Sequence, residues 1–577
     1  MKKCTVRALL LFVAWSTMVG TAAALEEGSL LHQNTFGLYY LEDPFDLTVN
    51  PAFLSRIERW RLFTNLSNYE DANSYLIGTS GRLGPGSVGL FYERDKERWV
   101  DQNSRSSDQT SDVSGWYGKN DIEVTAESSA DRFEEESTRN AFVVSYGMDF
   151  GGFTLGAAYR PSFSSGKTTL RGDLEGSPDF GTDPLYWTRP SFSGDLQPGR
   201  NYARSWRRAR YDGKSGALVT EDAGSEAFTG SADADEDTHA VDLGSELRVF
   251  KSVRTWVRVG ARSVKRTVSG SGSYASTNSY TQRDDGSGNG YMVTESRTST
   301  WEGEPVGSPE DHAFDGTEWS LDVVPRYAVS TAVTLELGLG WEGRQGDVSG
   351  TWTQDIGVTR TQTGRGTDTW LGSQHVANTF SGDSDRTGYS LTPRVYLTYG
   401  TVEFALGVGV SHLSDDVSGT QRGAGTMSWS YDDGSGLGSD FSYAGTTTTR
   451  SDRSLEYTAT VLSFPVAARF RVTDKLELRA GAEFVQTDSR TKRSESTRAD
   501  EEFAITDGRG NVLRQGPATR GIAEADVEER TVSATHYRLG AGYRVTDNLQ
   551  FDLLFSRSAG DGAVDTTAVH ASAVFAF

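Results

Sequence analysis

The feature that most constrains this chain is a series of segments, each about ten residues long, in which apolar side chains alternate strictly with polar or small ones. The segments come in pairs. Phe142, Val144, Tyr146 and Met148 lead into Asp149-Phe150-Gly151-Gly152, and Phe153, Leu155, Ala157 and Tyr159 lead out of it. The pattern returns with Val253, Thr255, Val257, Val259 and Ala261 after residues 250–252, and with Val333, Leu335, Leu337, Leu339 and Trp341 after residues 329–331. It returns again with Val402, Phe404, Leu406, Val408 and Val410 after Tyr399-Gly400. Arg471-Val472-Thr473-Asp474-Lys475-Leu476 and Arg544-Val545-Thr546-Asp547-Asn548-Leu549 are nearly the same hairpin written twice. A period of two is the period of a strand, and Gly, Asp and Asn provide the backbone conformations that tight hairpins need.

Between the hairpins lie long Ser-, Thr-, Gly- and Asp-rich connections: residues 95–138, 161–236, 269–317, 346–386, 414–454 and 487–530. Compact soluble domains rarely contain one connection of that length. Strict alternation of tight turns with long connections is the pattern of a strand series that crosses a bilayer, with short turns on the periplasmic side and long loops outside. A sandwich or propeller distributes loop length more evenly. The expectation is an all-β fold, a transmembrane antiparallel up-and-down barrel. Its strands fall near 59–68, 73–82, 86–94, 139–149, 152–160, 238–250, 253–267, 318–329, 332–345, 387–399, 401–413, 455–472, 475–486, 531–545, 548–558 and 566–577. That is sixteen strands, or fourteen if the first pair is lost; an even number puts both termini on the periplasmic side. Some strands are expected to continue as hairpins above the membrane, since Trp352, Val358 and Trp370 still alternate within a connection. Tyr92, Tyr146, Tyr159, Trp341, Tyr399, Tyr537, Tyr543 and Phe555 fall near strand ends, where aromatic rings prefer the membrane interface.

Composition agrees. With Lys+Arg 57 against Asp+Glu 79, the net charge of −22 argues against nucleic acid as a partner, and the mean hydropathy of −0.50 argues against a helical membrane protein. Neither value argues against a barrel, in which only every second strand residue is apolar. Lys2, Lys3 and Arg7, then an apolar run from Ala8 to Trp15, then Ala22-Ala23-Ala24 have the order of a secretory signal over residues 1–24. The run is too short to span a membrane. Removal of that leader also removes the single cysteine, Cys4, leaving an exported chain with no disulfide. Residues 25–57 then form a periplasmic N-terminal segment and residues 58–577 the barrel.

If lipid touches the apolar parity, the other parity carries Asp242, Glu246, Arg258, Arg262, Asp322, Arg326, Arg394, Glu403, Arg479, Glu483 and Arg538 into the lumen. Facing lipid, an Arg or Lys near the midplane costs about 2–4 kcal/mol, so this assignment is strongly preferred. The lumen is expected to be polar, either open to water or closed by ion pairs. The acidic residues of 95–138 suit a solvated outer surface in contact with lipopolysaccharide and other outer-membrane lipid. The Asp- and Gly-rich stretches at 284–290 and 432–436 lack the spacing of a calcium loop and suit turns; no metal and no cofactor is expected. His412, with Ser411, Asp415 and Asp416 near it, lies in no nucleophile motif, and the chain is not expected to be an enzyme.

The last residues, Val569 to Phe577, alternate and end in Phe. They resemble the closing strand of Gram-negative outer-membrane proteins, and the resemblance implies that Phe575 and Phe577 are read by the barrel assembly machinery. Within 161–236, Arg204, Arg207, Arg208 and Arg210 interleave with Tyr202, Trp206 and Tyr211. The loop's position resembles that of the inward-folded constriction loop of general porins, which implies an arginine eyelet. Just before the first strand, Asn50-Pro51-Ala52 is similar to a motif of the fatty acid and hydrocarbon transporter family, whose N-terminal segment plugs a fourteen-stranded monomer. Three functions stand as expectations: passive diffusion of small hydrophilic solutes first, transport of hydrophobic compounds past an N-terminal plug second, a non-conducting surface adhesin third. The oligomeric state is left open. The shape of the lumen, whether open, pinched by 161–236 or corked by 25–57, separates the readings.

Overall fold

The computed structural model describes the chain from residue 50 onward, except residues 58, 69–72, 114–120, 173–195, 199–200, 212–216, 251, 283–289, 304–311, 365, 436–439, 547 and 560–566. The expected leader and most of the N-terminal segment therefore lie outside the described residues. From Arg61 to the C-terminus the described chain is almost entirely strand. In chain order the strands are β1 (Arg61–Asn68), β2 (Asn73–Leu83), β3 (Gly86–Val113), β4 (Asp121–Asp149), β5 (Phe153–Gly172), β6 (Leu196–Pro198) and β7 (Asn201–Tyr211). Next come β8 (Leu218–Phe250), β9 (Val253–Gln282), β10 (Tyr291–Gly303), β11 (Ala313–Ala328), β12 (Val333–Thr363), β13 (Thr367–Tyr399) and β14 (Val402–Gly407). The rest are β15 (Gly409–Asp432), β16 (Phe441–Arg471), β17 (Leu476–Asp507), β18 (Val512–Thr546), β19 (Leu549–Ala559) and β20 (Thr567–Ala576).

Neighbouring strands pair antiparallel, and β1 closes on β20 with Phe63 opposite Val574, so the sheet is a ring of 16 strands. Each of the sixteen segments read from the sequence corresponds to one strand of that ring. β14 and β15 are one strand broken at Val408. The break lies opposite Pro393 of β13, and Pro465 of β16 stands across from the neighbouring Gly407; neither proline has an N–H to offer the ladder. Tight turns join the strands at one end. There Gly151, with φ +84°, lets the β4–β5 turn close and donates its N–H to Asp149 Oδ1 at 2.7 Å. Both termini of the ring meet at the same end, where Phe577 donates its N–H to the Trp60 carbonyl at 2.9 Å.

The stretches that read as long loops are mostly ladder. β12 has 31 residues, roughly 100 Å of strand at about 3.3 Å per residue, whereas a membrane crossing needs about 9–11. Ser- and Thr-rich sequence pairs readily because a strand needs its backbone bonds, not apolar side chains on both faces. β5 is shorter than its neighbours, and β7 takes its place higher up, paired with β4 and β8. Similarly, β10 stands above β11, between β9 and β12.

The apolar parity changes face partway along the long strands. On β12 the outward residues Val333, Leu335, Leu337, Leu339 and Trp341 are apolar, while Glu336, Gly338, Gly340 and Glu342 face in. Above Trp341 the outward positions become Gln345, Asp347, Ser349, Thr351, Thr353 and Asp355, and the buried inward ones become Val348, Ile356 and Val358. β16 behaves alike, with Val466 and Phe464 exposed below and Tyr443 and Leu455 buried above. Lipid rewards apolar side chains facing outward; above it water is outside, and the same side chains are stabilised facing inward. The exposed belt of Leu62, Ile77, Phe142, Val144, Leu155, Leu243, Val259, Leu321, Leu339, Phe404, Val466, Leu539 and Leu553 is therefore the bilayer contact. An even-numbered antiparallel ring with such a belt is the architecture of an outer-membrane barrel. Inside the outer wall sit two apolar clusters: Val264, Phe314, Val348, Phe380, Val417 and Leu455, and higher up a group that includes Phe228, Trp301, Trp429 and Tyr443.

Candidate functional site

The site begins with the residues just ahead of β1. Pro51–Arg56 is a short 3-10 turn. Asn50 caps it, its side-chain oxygen accepting from Ala52 N at 3.0 Å, and Pro51 supplies the first helical φ. Pro51, Ala52, Phe53 and Leu54 are buried and Asn50 is fully so. The turn lies inside the ring, against the wall made by β3, β4, β5 and β8. Close approach is possible because that wall has glycines facing it. A Cβ on Gly156 would stand 2.2 Å from the Pro51 carbonyl carbon, one on Gly147 2.6 Å from the Pro51 oxygen, and one on Gly244 2.0 Å from Asn50 Oδ1. Gly147, Gly156 and Gly244 are successive ladder partners on three neighbouring strands, so the cradle is one continuous patch.

Around the cradle the lumen wall is apolar. Phe53, Leu54 and Ile57 of the N-terminal segment pack with Phe63, Leu76, Phe91, Val143, Ala158, Trp256, Val324 and Val574. The rings of Phe53 and Trp256 meet edge to face with centroids 6.3 Å apart. Arg56 holds the end of the turn: its guanidinium lies 4.6 Å over Phe53 and reaches buried Glu246 at 2.5 Å. Ser87 Oγ donates to the Ile57 carbonyl at 3.2 Å. On the inner face of β4, Val143 and Ala141 continue this cluster, and buried Phe133 lies higher up the same face beyond Arg139, Ser137 and Glu135.

Beginning on the cradle strands β5 and β8 and continuing round the ring, the lumen wall carries a belt of ion pairs. Asp242 forms an ion pair with Arg160 at 3.0 Å and lies 3.6 Å from Arg258, which reaches Asp322 at 3.3 Å. Arg262 pairs with Glu318. Glu336, with its carboxylate fully buried, accepts from Arg326 at 2.8 Å, Arg394 at 3.1 Å and the Tyr396 hydroxyl at 3.1 Å. Asp415 joins Arg344, at 3.3 Å, to Arg386. Glu403 takes Arg469 and Arg471, and Arg479 bridges Glu477 to Asp552. Glu483 stands opposite His536 on the β17–β18 ladder, with Arg538 two residues along on the same face. The expected lumen charges thus sit on the inner face, and most are neutralised by a cross-strand partner instead of facing open water.

The arginines of 161–236 sit elsewhere. Arg204, Arg207, Arg208 and Arg210 lie on β7, a strand of the outer wall above β5, and not on a loop folded into the lumen. Arg204 pairs with Glu226 at 3.4 Å and lies 5.0 Å over the Tyr202 ring, and Arg207 pairs with Glu221 at 2.7 Å. The eyelet expectation is corrected: a segment whose backbone is laddered on both sides has no freedom to fold inward. Phe575 and Phe577 stand exposed at the turn end with ring centroids 5.8 Å apart. The 284–290 stretch falls largely outside the described residues. Asp432, Asp433 and Asp440 cluster at the β15–β16 tip, where the first two cap the N–H groups of Gly434 and Ser435 as turn residues do. His412 faces outward on Thr460, whereas Ser411 points to the other face of β15 and Asp415 is held by Arg344 and Arg386.

Sequence reasoning missed the cradle, although its signal was present: glycines at lumen parity on consecutive strands, where a polar side chain would otherwise stand. It also missed Arg56, which lies in the last turn before the barrel and becomes meaningful only once Glu246 is known to be across from it.

No protein-family model and no curated protein matches the sequence. Among solved structures the chain is similar to the CymD monoaromatic hydrocarbon channel, at 10% identity over 96% of this chain and 98% of that one, with a TM-score of 0.35. It is similar to the Pseudomonas putida toluene transporter TodX at 11% identity over 95% and 97%, TM-score 0.33, and to the copper transporter OprC at 8% over 90% and 81%, TM-score 0.24.

Proposed function

We propose that this outer-membrane barrel transports small apolar solutes, and that its own N-terminal segment corks the lumen. The observation that carries the reading is the seating of Asn50–Ile57 on the Gly147, Gly156 and Gly244 cradle, inside the ring and among apolar side chains. Passive diffusion of hydrophilic solutes needs a continuous wet path. Here most charged groups of the lumen are consumed in ion pairs, and the wall next to the plug is apolar, with Val143 and Ala141 on β4 continuing the surface formed by Phe63, Leu76 and Phe91. An apolar solute there loses little on leaving an apolar surface for another, while a sugar would shed hydration with few groups to replace it. Arg56 and Glu246 form the latch that fixes the cork in place.

Liposomes containing the intact chain test this. The expected result is no swelling in a graded set of sugars, together with saturable uptake of a radiolabelled hydrocarbon. Size-dependent sugar permeation by the intact chain would restore the hydrophilic channel, and neither activity would favour the adhesin.

A further inference from the structure

Among the described residues the outer wall is not a closed ring. β19, β20, β1 and β2 have only 11, 10, 8 and 11 residues, whereas β18 and β3, which flank them, have 35 and 28. β2 accompanies β3 only to Arg94, opposite Tyr75, and β19 accompanies β18 only down from Thr535, opposite Ala559. Above those points, among the described residues, β3 is laddered with β4 alone over Gln102–Val113 and β18 with β17 alone from Val512 to Ala534. The strands of the described wall thus leave a notch down to the membrane surface, bounded by two sheet edges. Each edge presents a row of backbone donors and acceptors on its open side, and proteins normally cover such rows. On β18 both faces of the strand are exposed as well, including Ile522 and Val527.

We propose that the two edges pair with those of a second copy of this chain, the β3 edge of one molecule adding to the β18 edge of its partner and the reverse. Three features select a second copy as the occupant. The edges begin at the same level, just above the apolar belt, because both are released by strands that end there. They run in opposite directions, since β3 climbs away from the tight turns and β18 descends toward them. A two-fold axis along the membrane normal keeps each strand's direction, so β3 beside the partner's β18 makes an antiparallel ladder like every other in the sheet. Pairing β3 with its own copy would make a parallel one. Both joints form at once under that one operation, and no open edge remains.

The test is a cysteine scan in outer membranes. One substitution is placed at a time in Gln102–Val113 and a second at a time in 512–534, with oxidation followed by denaturing electrophoresis. A crosslinked species of twice the chain mass for a run of β3–β18 pairs in antiparallel register supports the proposal. Crosslinks at single-chain mass would mean that the wall closes on itself, and absence of crosslinks throughout, with a monomer mass by light scattering, would equally overturn it. Ala523→Pro and Glu524→Pro provide a second readout, because neighbouring residues of a strand point their N–H groups to opposite sides. One proline breaks the β17 ladder; the other leaves a folded barrel and is expected to abolish the dimer. Two folded dimeric variants would overturn the proposal.

Discussion

At the scale of single residues, the seating of Asn50–Ile57, and with it the proposed cork, depends on atoms that are missing. Gly156 allows the backbone at Pro51 to lie against the wall, and no rotamer of a larger residue avoids the contact, because the clash is made by Cβ itself. Gly156→Val is expected to expel Asn50–Ile57 while leaving the ring folded, since β-branched residues suit a strand. The measurement is sugar-driven liposome swelling, absent for the parent and present for the variant, with unchanged heat-resistant migration of the barrel. Arg56→Ala leaves the Glu246 carboxylate buried with its cation gone. Since Arg56 is itself 40% exposed, the loss is discounted to about 1–3 kcal/mol of plug docking, read as a rise in the open fraction in single-channel recordings. A silent channel in both variants would remove the plug from the gating scheme.

At the scale of elements, the change of parity along the strands makes separate statements for the two halves. In the bilayer the ring is held by lipid contact outside and ion pairs inside; above it, the wall is held by an interior that behaves as a water-soluble core. Trp301, 1% exposed and edge to face with Phe228 at 5.5 Å, belongs to the second half. Trp301→Ala is expected to cost about 3–5 kcal/mol there, read as faster amide exchange in β10 and its partners with β11 protection in the membrane unchanged. The outer hairpins also carry a pH signature. Asp507 lies below its usual value near 3.8 because the Asn511 side chain and backbone donate to it at the β17–β18 turn. A depressed carboxylate stabilises its turn above the unfolded value and loses that contribution as pH falls through the folded one. The turn is therefore expected to hold from neutral pH to about 4 and to loosen only below the ordinary aspartate range, as read by amide exchange at Asn511; loosening near pH 6 would contradict the assignment.

At the scale of the whole molecule, the proposed cork is expected to be separable from the barrel. The ring closes by its own ladder from β1 to β20, and Asn50–Ile57 packs on its inner face. A chain lacking residues 25–57 is expected to insert and migrate as a folded barrel, but to admit small sugars that the full chain excludes. Failure of that chain to fold would make the segment part of the barrel's core instead.

Much of the molecule is legible in its residues alone. The sixteen ring strands, their tight turns, the lipid-facing parity and the inward placement of Asp242, Glu246, Arg258 and Arg394 all come from a period of two, which each strand displays within ten residues or so whatever its neighbours do. Asn50-Pro51-Ala52 could be singled out, but not what it rests on. Tertiary structure alone decided that the supposed loops are wall, that Arg204 to Arg210 belong to it, that three glycines make a cradle, and that the wall stops short at β19, β20, β1 and β2. These are matters of which distant segments come to lie side by side. Backbone pairing has almost no side-chain code in Ser- and Thr-rich sequence, and a glycine shows its purpose only when something is pressed against it.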